Sequence, residues 1–231
     1  MSTSHTEFMR ALEEDFRSTS GLFNRAAYKL FYGQVRPAPI LTLGINPGGS
    51  PAEISADGTR QLNGAKASAS ASYFEKDEND VLDCEWKENT GLRALLYPLV
   101  SNSQDRFRAE IVKSNLAFRR SAKKKDIDIE AAFAEAARYV TRIIERVSPR
   151  LVVLTGVPIQ TFVDRFASTI RVLAPAERDP GVKQVVFAAS RVTLKASGKE
   201  ATVVQVAHAS QFSWIYAKYK VAERALALAE A

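Results

Sequence analysis

Three stretches of the chain carry residues whose types could do chemistry. The first is Gly44-Ile45-Asn46-Pro47-Gly48-Gly49, directly after the apolar run Pro39-Ile40-Leu41-Thr42-Leu43. Consecutive glycines leave backbone N–H groups open to an anion, and a helix start behind them would add its dipole. The same turn also serves simply to redirect the chain after a strand. No Gly-Lys-Ser/Thr and no Gly-x-Gly-x-x-Gly follows, so it does not read as a nucleotide-binding loop. The second stretch is Val206-Ala207-His208-Ala209-Ser210-Gln211-Phe212-Ser213-Trp214. His208 is one of two histidines, and the other, His5, lies near the N-terminus. A histidine at a strand end serves either structure or catalysis. Ser210 beside it lacks a Gly-x-Ser-x-Gly elbow, and nothing nearby supplies metal ligands at a usual spacing. The third is Asn115, which interrupts an apolar strand between Ser114 and Leu116. A buried carboxamide must be satisfied. It either ties two strands together or reads a ligand that carries both a donor and an acceptor, such as a nucleobase edge. Phe212, in the turn before the last helix, is the better candidate for an exposed aromatic, while Trp214 is placed to join the core.

The elements that would position these residues follow from periodicity. Residues 6–17 and 22–31 have helical spacing, with Phe8, Leu12 and Phe16 on one stripe. Residues 39–44 form a continuous apolar run that suits a buried parallel strand. Residues 89–101 read as a helix shortened or kinked by Pro98, and residues 110–118 as a strand. Residues 126–147 give the clearest helix, capped by Asp126 or Asp128 and stopped by Pro149. Leu151-Val152-Val153-Leu154-Thr155-Gly156 is a buried strand that meets a helix near Pro158. Residues 184–208 alternate around a polar turn at Ser197-Gly198-Lys199, and residues 213–229 read as one helix. Residues 54–72 have no stable period and form a long loop. Interleaved strands and helices predict one α/β domain with a mostly parallel sheet covered on both faces. Ligands bind such sheets at the carboxyl ends of the strands. That rule marks Gly44–Ser50, Asn115–Arg120, Thr155–Pro158 and His208–Trp214.

The bulk numbers fit this picture. A chain of 231 residues with 46% hydrophobic and 25% charged content can build one sizeable core. Cys84 is the one cysteine, so no intrachain disulfide or cysteine-rich metal site is possible. The polar N-terminus and the lack of any run near ~18 apolar residues suggest a cytoplasmic protein without a membrane span. The net charge of +6 is polarised. Residues 105–125 hold eight Lys/Arg and two acids, whereas residues 75–90 hold seven acids and two lysines. The basic stretch is either a solvated face or a surface for an anionic partner.

Together these stretches resemble the uracil-DNA glycosylase superfamily over roughly residues 38–214. Its first motif, a strand and then a Gly-x-(Asp/Asn)-Pro-Gly turn, stands here as Gly44-Ile45-Asn46-Pro47-Gly48. The Asn form is similar to the mismatch-specific and single-strand-selective branches. Its second motif, His-Pro-Ser with a following loop, stands as His208-Ala209-Ser210-Gln211-Phe212-Ser213. Between them Asn115 matches the strand-end asparagine, and residues 151–156 match the third strand and its glycine. The resemblance implies a three-layer α/β/α sandwich with a short, mostly parallel central sheet. It would be a single domain over 1–231, with N-terminal helices at 6–31 and a C-terminal helix at 213–229 packed on the core.

The resemblance also implies a role for each matched residue. The protein would be a monofunctional, cofactor-free and metal-free DNA glycosylase, monomeric, acting on a base flipped from single-stranded or mismatched DNA. The base would be damaged or deaminated, with uracil first. Asn46 would position the attacking water, and His208 would stabilise charge on the departing base. Asn115 would read the base edge, with Gly44, Ile45, Pro47 and Gly48 around it and Tyr73 or Phe74 stacking on it. Ser210, Gln211 and Ser213 would contact DNA. Phe212 would fill the vacated stack. Arg119, Arg120, Lys123, Lys124 and Lys125 would hold phosphates. Two departures matter. Asn46 cannot accept a proton near neutral pH, which costs about 10²–10⁴-fold relative to a general base. Ala209 replaces the family's proline, which removes one restraint on the His208 loop. Two rival expectations stand beside this one: a non-catalytic nucleic-acid-binding protein of the same fold, and an enzyme acting on a free nucleoside or nucleotide.

Overall fold

The computed structural model describes residues 4–19, 28–46, 51–52, 54–56, 87–121 and 127–231. Its centre is a six-stranded sheet in the order β2-β1-β3-β6-β5-β4. The strands are β1 (Ile40–Gly44), β2 (Ile111–Asn115), β3 (Leu151–Thr155), β4 (Ala167–Arg178), β5 (Val185–Leu194) and β6 (Glu200–Val206). The first four in spatial order, β2, β1, β3 and β6, are mutually parallel. Both β5 and β4 then run antiparallel to their neighbours.

The parallel strands are buried on both faces, which is why they read as unbroken apolar runs. Alternate residues face opposite layers. Leu41, Leu43, Val112, Val152 and Leu154 pack with α1 (His5–Thr19), α4 (Ile129–Val147) and α5 (Ile159–Phe166). Ile40, Ile111, Leu151, Val153 and Val206 pack with α2 (Lys87–Leu96), α3 (Gln104–Glu110), α6 (Ala209–Lys218) and α7 (Val221–Glu230). The α/β layering expected from the sequence is therefore present, with helices on each side of a mostly parallel sheet. Each buried Leu or Val contributes about 1.5–3 kcal/mol relative to exposure.

Local chemistry sets the helix boundaries. Ser4 and Glu7 form a reciprocal cap on α1, Glu7 N–H donating to Ser4 Oγ and Ser4 N–H to Glu7 Oε2. Asp128, rather than Asp126, caps α4 by accepting from the Ala131 N–H at 3.1 Å. Ser148 closes that helix in the left-handed region, just before Pro149. Pro98 turns the end of α2 into a short 3-10 turn, Pro98–Val100.

Three expectations need correction, and one helix was not expected. Residues 28–31 are not helical: Tyr28 bridges Arg119, and Lys29 N–H donates to the Phe118 carbonyl at 2.8 Å. Extended pairing along the continuation of β2 takes the backbone bonds that a helix would have used. Residues 22–27 lie outside the described residues. Residues 104–110 form a helix, α3, which the charged pattern concealed. Its cap is Ser103, accepting from the Arg106 N–H. The C-terminal segment is two helices, not one: α6 ends at Lys218, and Lys220 sits in the left-handed region before α7. The sheet is not covered on both faces throughout, because β4 is an edge strand with Ile170 46% and Val172 65% exposed. Pro175 and register irregularities along β4 suit an edge rather than a central position.

Candidate functional site

Four carboxyl strand ends lie side by side along one edge of the sheet. Gly44 is level with Asn115 on β2, and Leu43 with Leu154 on β3, so Gly44 comes level with Thr155. Thr155 is in turn level with Val206 on β6. A single row therefore crosses the sheet as Asn115, Gly44, Thr155 and Val206, with His208 two residues past its end.

The absence of a side chain at Gly44 lets this row close up. A Cβ there would stand 2.5 Å from Asn115 Oδ1 and 3.7 Å from Thr155 Oγ1. Asn115 is buried, and its Nδ2 donates to the Tyr32 hydroxyl at 2.9 Å. Tyr32 is itself buried, with the Lys113 ammonium 4.2 Å and the Lys29 ammonium 4.4 Å from its ring centroid. The strand-tying role for Asn115 thus has a partner, but one outside the sheet. Its carboxamide oxygen lies over the bare backbone of Gly44.

A second glycine seats the histidine. Gly156 has φ +70°, and a Cβ on it would stand 2.9 Å from His208 Cδ2 and 3.1 Å from His208 Cβ. Both its conformation and the close approach of the imidazole favour glycine here. His208 is half-buried, and its backbone N–H donates to Gln184 Oε1 at 2.9 Å. Its carbonyl accepts from the N–H groups of Gln211 and Phe212 at the start of α6. On the other side, Gly91 of α2 packs against Ala209 so closely that a Cβ would meet the Ala209 carbonyl oxygen at 2.0 Å.

Asn46 is half-buried, just beyond β1. Its Nδ2 donates to Ser121 Oγ at 2.9 Å and to the Arg119 carbonyl at 3.3 Å. A carbonyl can only accept, so this contact fixes which end of the carboxamide is nitrogen and leaves Oδ1 on the opposite side. Ile45 packs against the core, and its carbonyl accepts from Ala117 N–H at 2.9 Å.

The structure therefore brings Gly44, Ile45, Asn46, Asn115 and His208 to the carboxyl edge of the sheet, with Asn115 over Gly44 and His208 over Gly156. Arg119 is ion-paired with Glu135 at 3.0 Å, which offsets part of its charge towards a phosphate. Arg120 is half-exposed beside it. The aromatic expectation is reversed: Phe212 is partly buried against Val182, Val186, Ala207 and Ile215, while Trp214 is 53% exposed. A break in helical geometry at Phe212 (φ −134°, ψ 32°) turns the ring inward. Gln211 is exposed, with Gln184 Nε2 at 3.5 Å from its Oε1, and Ser213 is half-buried. Pro47, Gly48, Tyr73, Phe74, Lys123, Lys124 and Lys125 lie outside the described residues, as does the side chain of Ser210.

Three residues of this neighbourhood carry no signal a motif could supply. Tyr32 lies just past a segment with helical spacing, Gln184 just before an antiparallel strand, and Thr155 reads as the end of an apolar run. The rule that ligands sit beyond carboxyl strand ends does point to Thr155. Among the described residues, no three His, Cys, Asp or Glu side chains converge where a metal ion could sit, and no helix is long and apolar enough to cross a membrane. Comparison of the sequence with protein-family models finds no match, and comparison with curated proteins finds none.

Proposed function

We propose that the protein is a monofunctional DNA glycosylase that hydrolyses the N-glycosidic bond of a flipped, deaminated base, with uracil the first candidate. One observation carries the reading: a buried carboxamide from the end of β2 and an imidazole from just past β6 occupy the side-chain space of Gly44 and Gly156, at the ends of the two adjacent strands between them. A carboxamide can read a base edge through its acceptor and donor. An imidazole N–H can stabilise the negative charge that builds on a pyrimidine oxygen as the base leaves.

The reaction balances without a cofactor. The bond between the sugar C1′ and the base nitrogen breaks, and its electron pair leaves with the base. His208 stabilises that charge. Water then adds to C1′ and releases a proton, which ends on the base or in solvent. Asn46 orients the water through Oδ1, because its Nδ2 is held by Ser121 and Arg119. An amide orients but does not take the proton, so the turnover is slow, by about 10²–10⁴-fold against a carboxylate base.

The test is single-turnover base release from oligonucleotides that contain one uracil, in single-stranded and mismatched duplex forms. Wild type should release uracil, and Asn46→Ala should not. Intact DNA binding without release of any base from a wider panel would overturn the enzymatic reading in favour of a nucleic-acid-binding protein.

A further inference from the structure

We infer that Gln184 is a positioning residue for His208, and that the β4–β5 hairpin serves to hold the histidine turn in place. Gln184 acts on the reacting groups only through His208, so its effect on rate rests on the glycosylase reading. Its effect on the imidazole does not.

β6 ends at Val206, and the chain must leave the sheet and enter α6 within three residues. Gly156 lies beneath the imidazole and the Gly91 backbone packs on the Ala209 carbonyl, but neither takes the His208 N–H. Gln184 does, from the residue just before β5. A backbone N–H can only donate, so the contact fixes Oε1 on His208 and points Nε2 towards Gln211.

Gln184 is in turn held by the tip of its hairpin. Asp179, buried, accepts from the Gly181 N–H and the Tyr219 hydroxyl, both at 2.9 Å, and from the Lys218 ammonium. Val182 N–H donates to the Asp179 carbonyl, and Arg178 donates to the Lys183 carbonyl. Further along β4, Glu177 pairs with Arg224 of α7, whose guanidinium lies 3.8 Å from the Phe187 ring centroid. The hairpin is thus fastened to α6 and α7 at several points, and Gln184 is the one of them that reaches the histidine backbone. This supplies a restraint on the His208 turn that does not depend on a proline at 209.

The test uses the full chain and the fact that it has two histidines. The imidazole C–H resonances are followed by NMR as pH is raised, with His208→Asn to assign them. In Gln184→Ala the His208 titration curve and backbone N–H shift should move, while His5 stays. Gln184→Glu, which keeps the acceptor, should restore the backbone N–H shift, while its added charge moves the His208 titration upward. Single-turnover base release should fall about 10- to 10²-fold in Gln184→Ala, the scale of a small misplacement. It should fall no further in a His208→Ala background. His208 resonances unchanged in a folded Gln184→Ala protein overturn the inference, as does an equal rate loss in the His208→Ala background. If Gln184→Ala does not fold, Gln184→Met, which keeps the length and removes the acceptor, takes its place, and His208 resonances identical to wild type overturn the inference. If wild type releases no base while the His208 resonances move as expected, the enzymatic reading falls and the positioning role stands.

Discussion

Gly44 and Asn115 face each other across the first parallel pair, and the carboxamide oxygen of one occupies the space where the other would carry a side chain. The glycine is required here by space and not by backbone conformation. Gly44→Ala should push the carboxamide aside, cost about 1–3 kcal/mol through overpacking, and reduce base release beyond what the stability loss explains. Thermal unfolding and single-turnover release, measured together, check this. Unchanged release in a destabilised protein would show that Asn115 does not need its present place.

Thr155 stands in the same row, buried, beside Gly44. On the glycosylase reading its hydroxyl would meet the same base edge as Asn115. Thr155→Val keeps the shape and removes the hydroxyl, and should slow base release about 3- to 10-fold, the worth of a neutral hydrogen bond of about 0.5–1.5 kcal/mol. Thr155→Ser should recover it. Equal rates in all three proteins would remove Thr155 from the site.

His208→Ala should lower base release by about 10²–10³-fold, as expected when one preorganised donor to developing charge is lost. DNA affinity, measured by fluorescence anisotropy, should change little. Parallel loss of affinity and release would instead mark the histidine as a structural part of the surface.

Trp214 and Phe212 should separate cleanly. Trp214→Ala should weaken DNA binding by about 1–3 kcal/mol if a base stacks on the exposed indole, with little effect on stability. Phe212→Ala should destabilise the fold by about 1–3 kcal/mol, because its ring packs on Val182 and Ile215. Full retention of DNA binding by Trp214→Ala would leave that side chain without a role at the interface.

The hairpin tip should respond to pH with a definite sign. Asp179 is held down to about 2 from an ordinary 3.8, first by the Lys218 ammonium, then by the Gly181 N–H and the Tyr219 hydroxyl. A depressed carboxyl stabilises the fold above its ordinary range and loses that contribution as pH falls through about 2. Asp179 raises both Lys218 and Tyr219 above their usual values. Their contribution is complete at lower pH and is lost only as alkaline pH passes their folded-state values. Amide exchange at Gly181 and Val182 should therefore show no added opening between pH 5 and 8, and should loosen in strong acid. Asp179→Asn should flatten the acid response, and an identical acid response in that variant would rule out Asp179 as its source.

What the sequence made legible depends on the range over which each signal acts. The amphipathic stripe of 129–147 and the unbroken runs at 40–44 and 151–155 announce their elements, because burial on one or both faces is written into a few consecutive residues. Asn115 and His208 were visible as polar exceptions at strand ends. Tyr32 and Gln184 were not, since each acquires its meaning from a partner 83 or 24 residues away. Residues 28–31 have helical spacing yet run extended, because pairing with Phe118 and Arg119 overrides local preference. Trp214 and Phe212 exchanged their expected places because one non-helical residue rotates the start of α6. Helical periodicity carries no trace of that break.

The order of the strands also divides the site in time. β4, β5 and β6 are consecutive in sequence and pair as an antiparallel meander. Such local pairings form ahead of parallel ones, whose crossovers close long loops. His208 leaves the last strand of that meander, already next to Gln184, whereas Asn46 and Asn115 belong to the long-range β2-β1-β3 set. The histidine half of the site is thus expected to assemble early, and the asparagine half only when the parallel strands dock. Pulse-labelled hydrogen exchange during refolding should protect the amides of Ala188 to Ser190 before those of Leu41 to Leu43. A kinetic intermediate would then hold His208 beside Gln184, with its seat on Gly156 not yet formed and nothing yet to read a base.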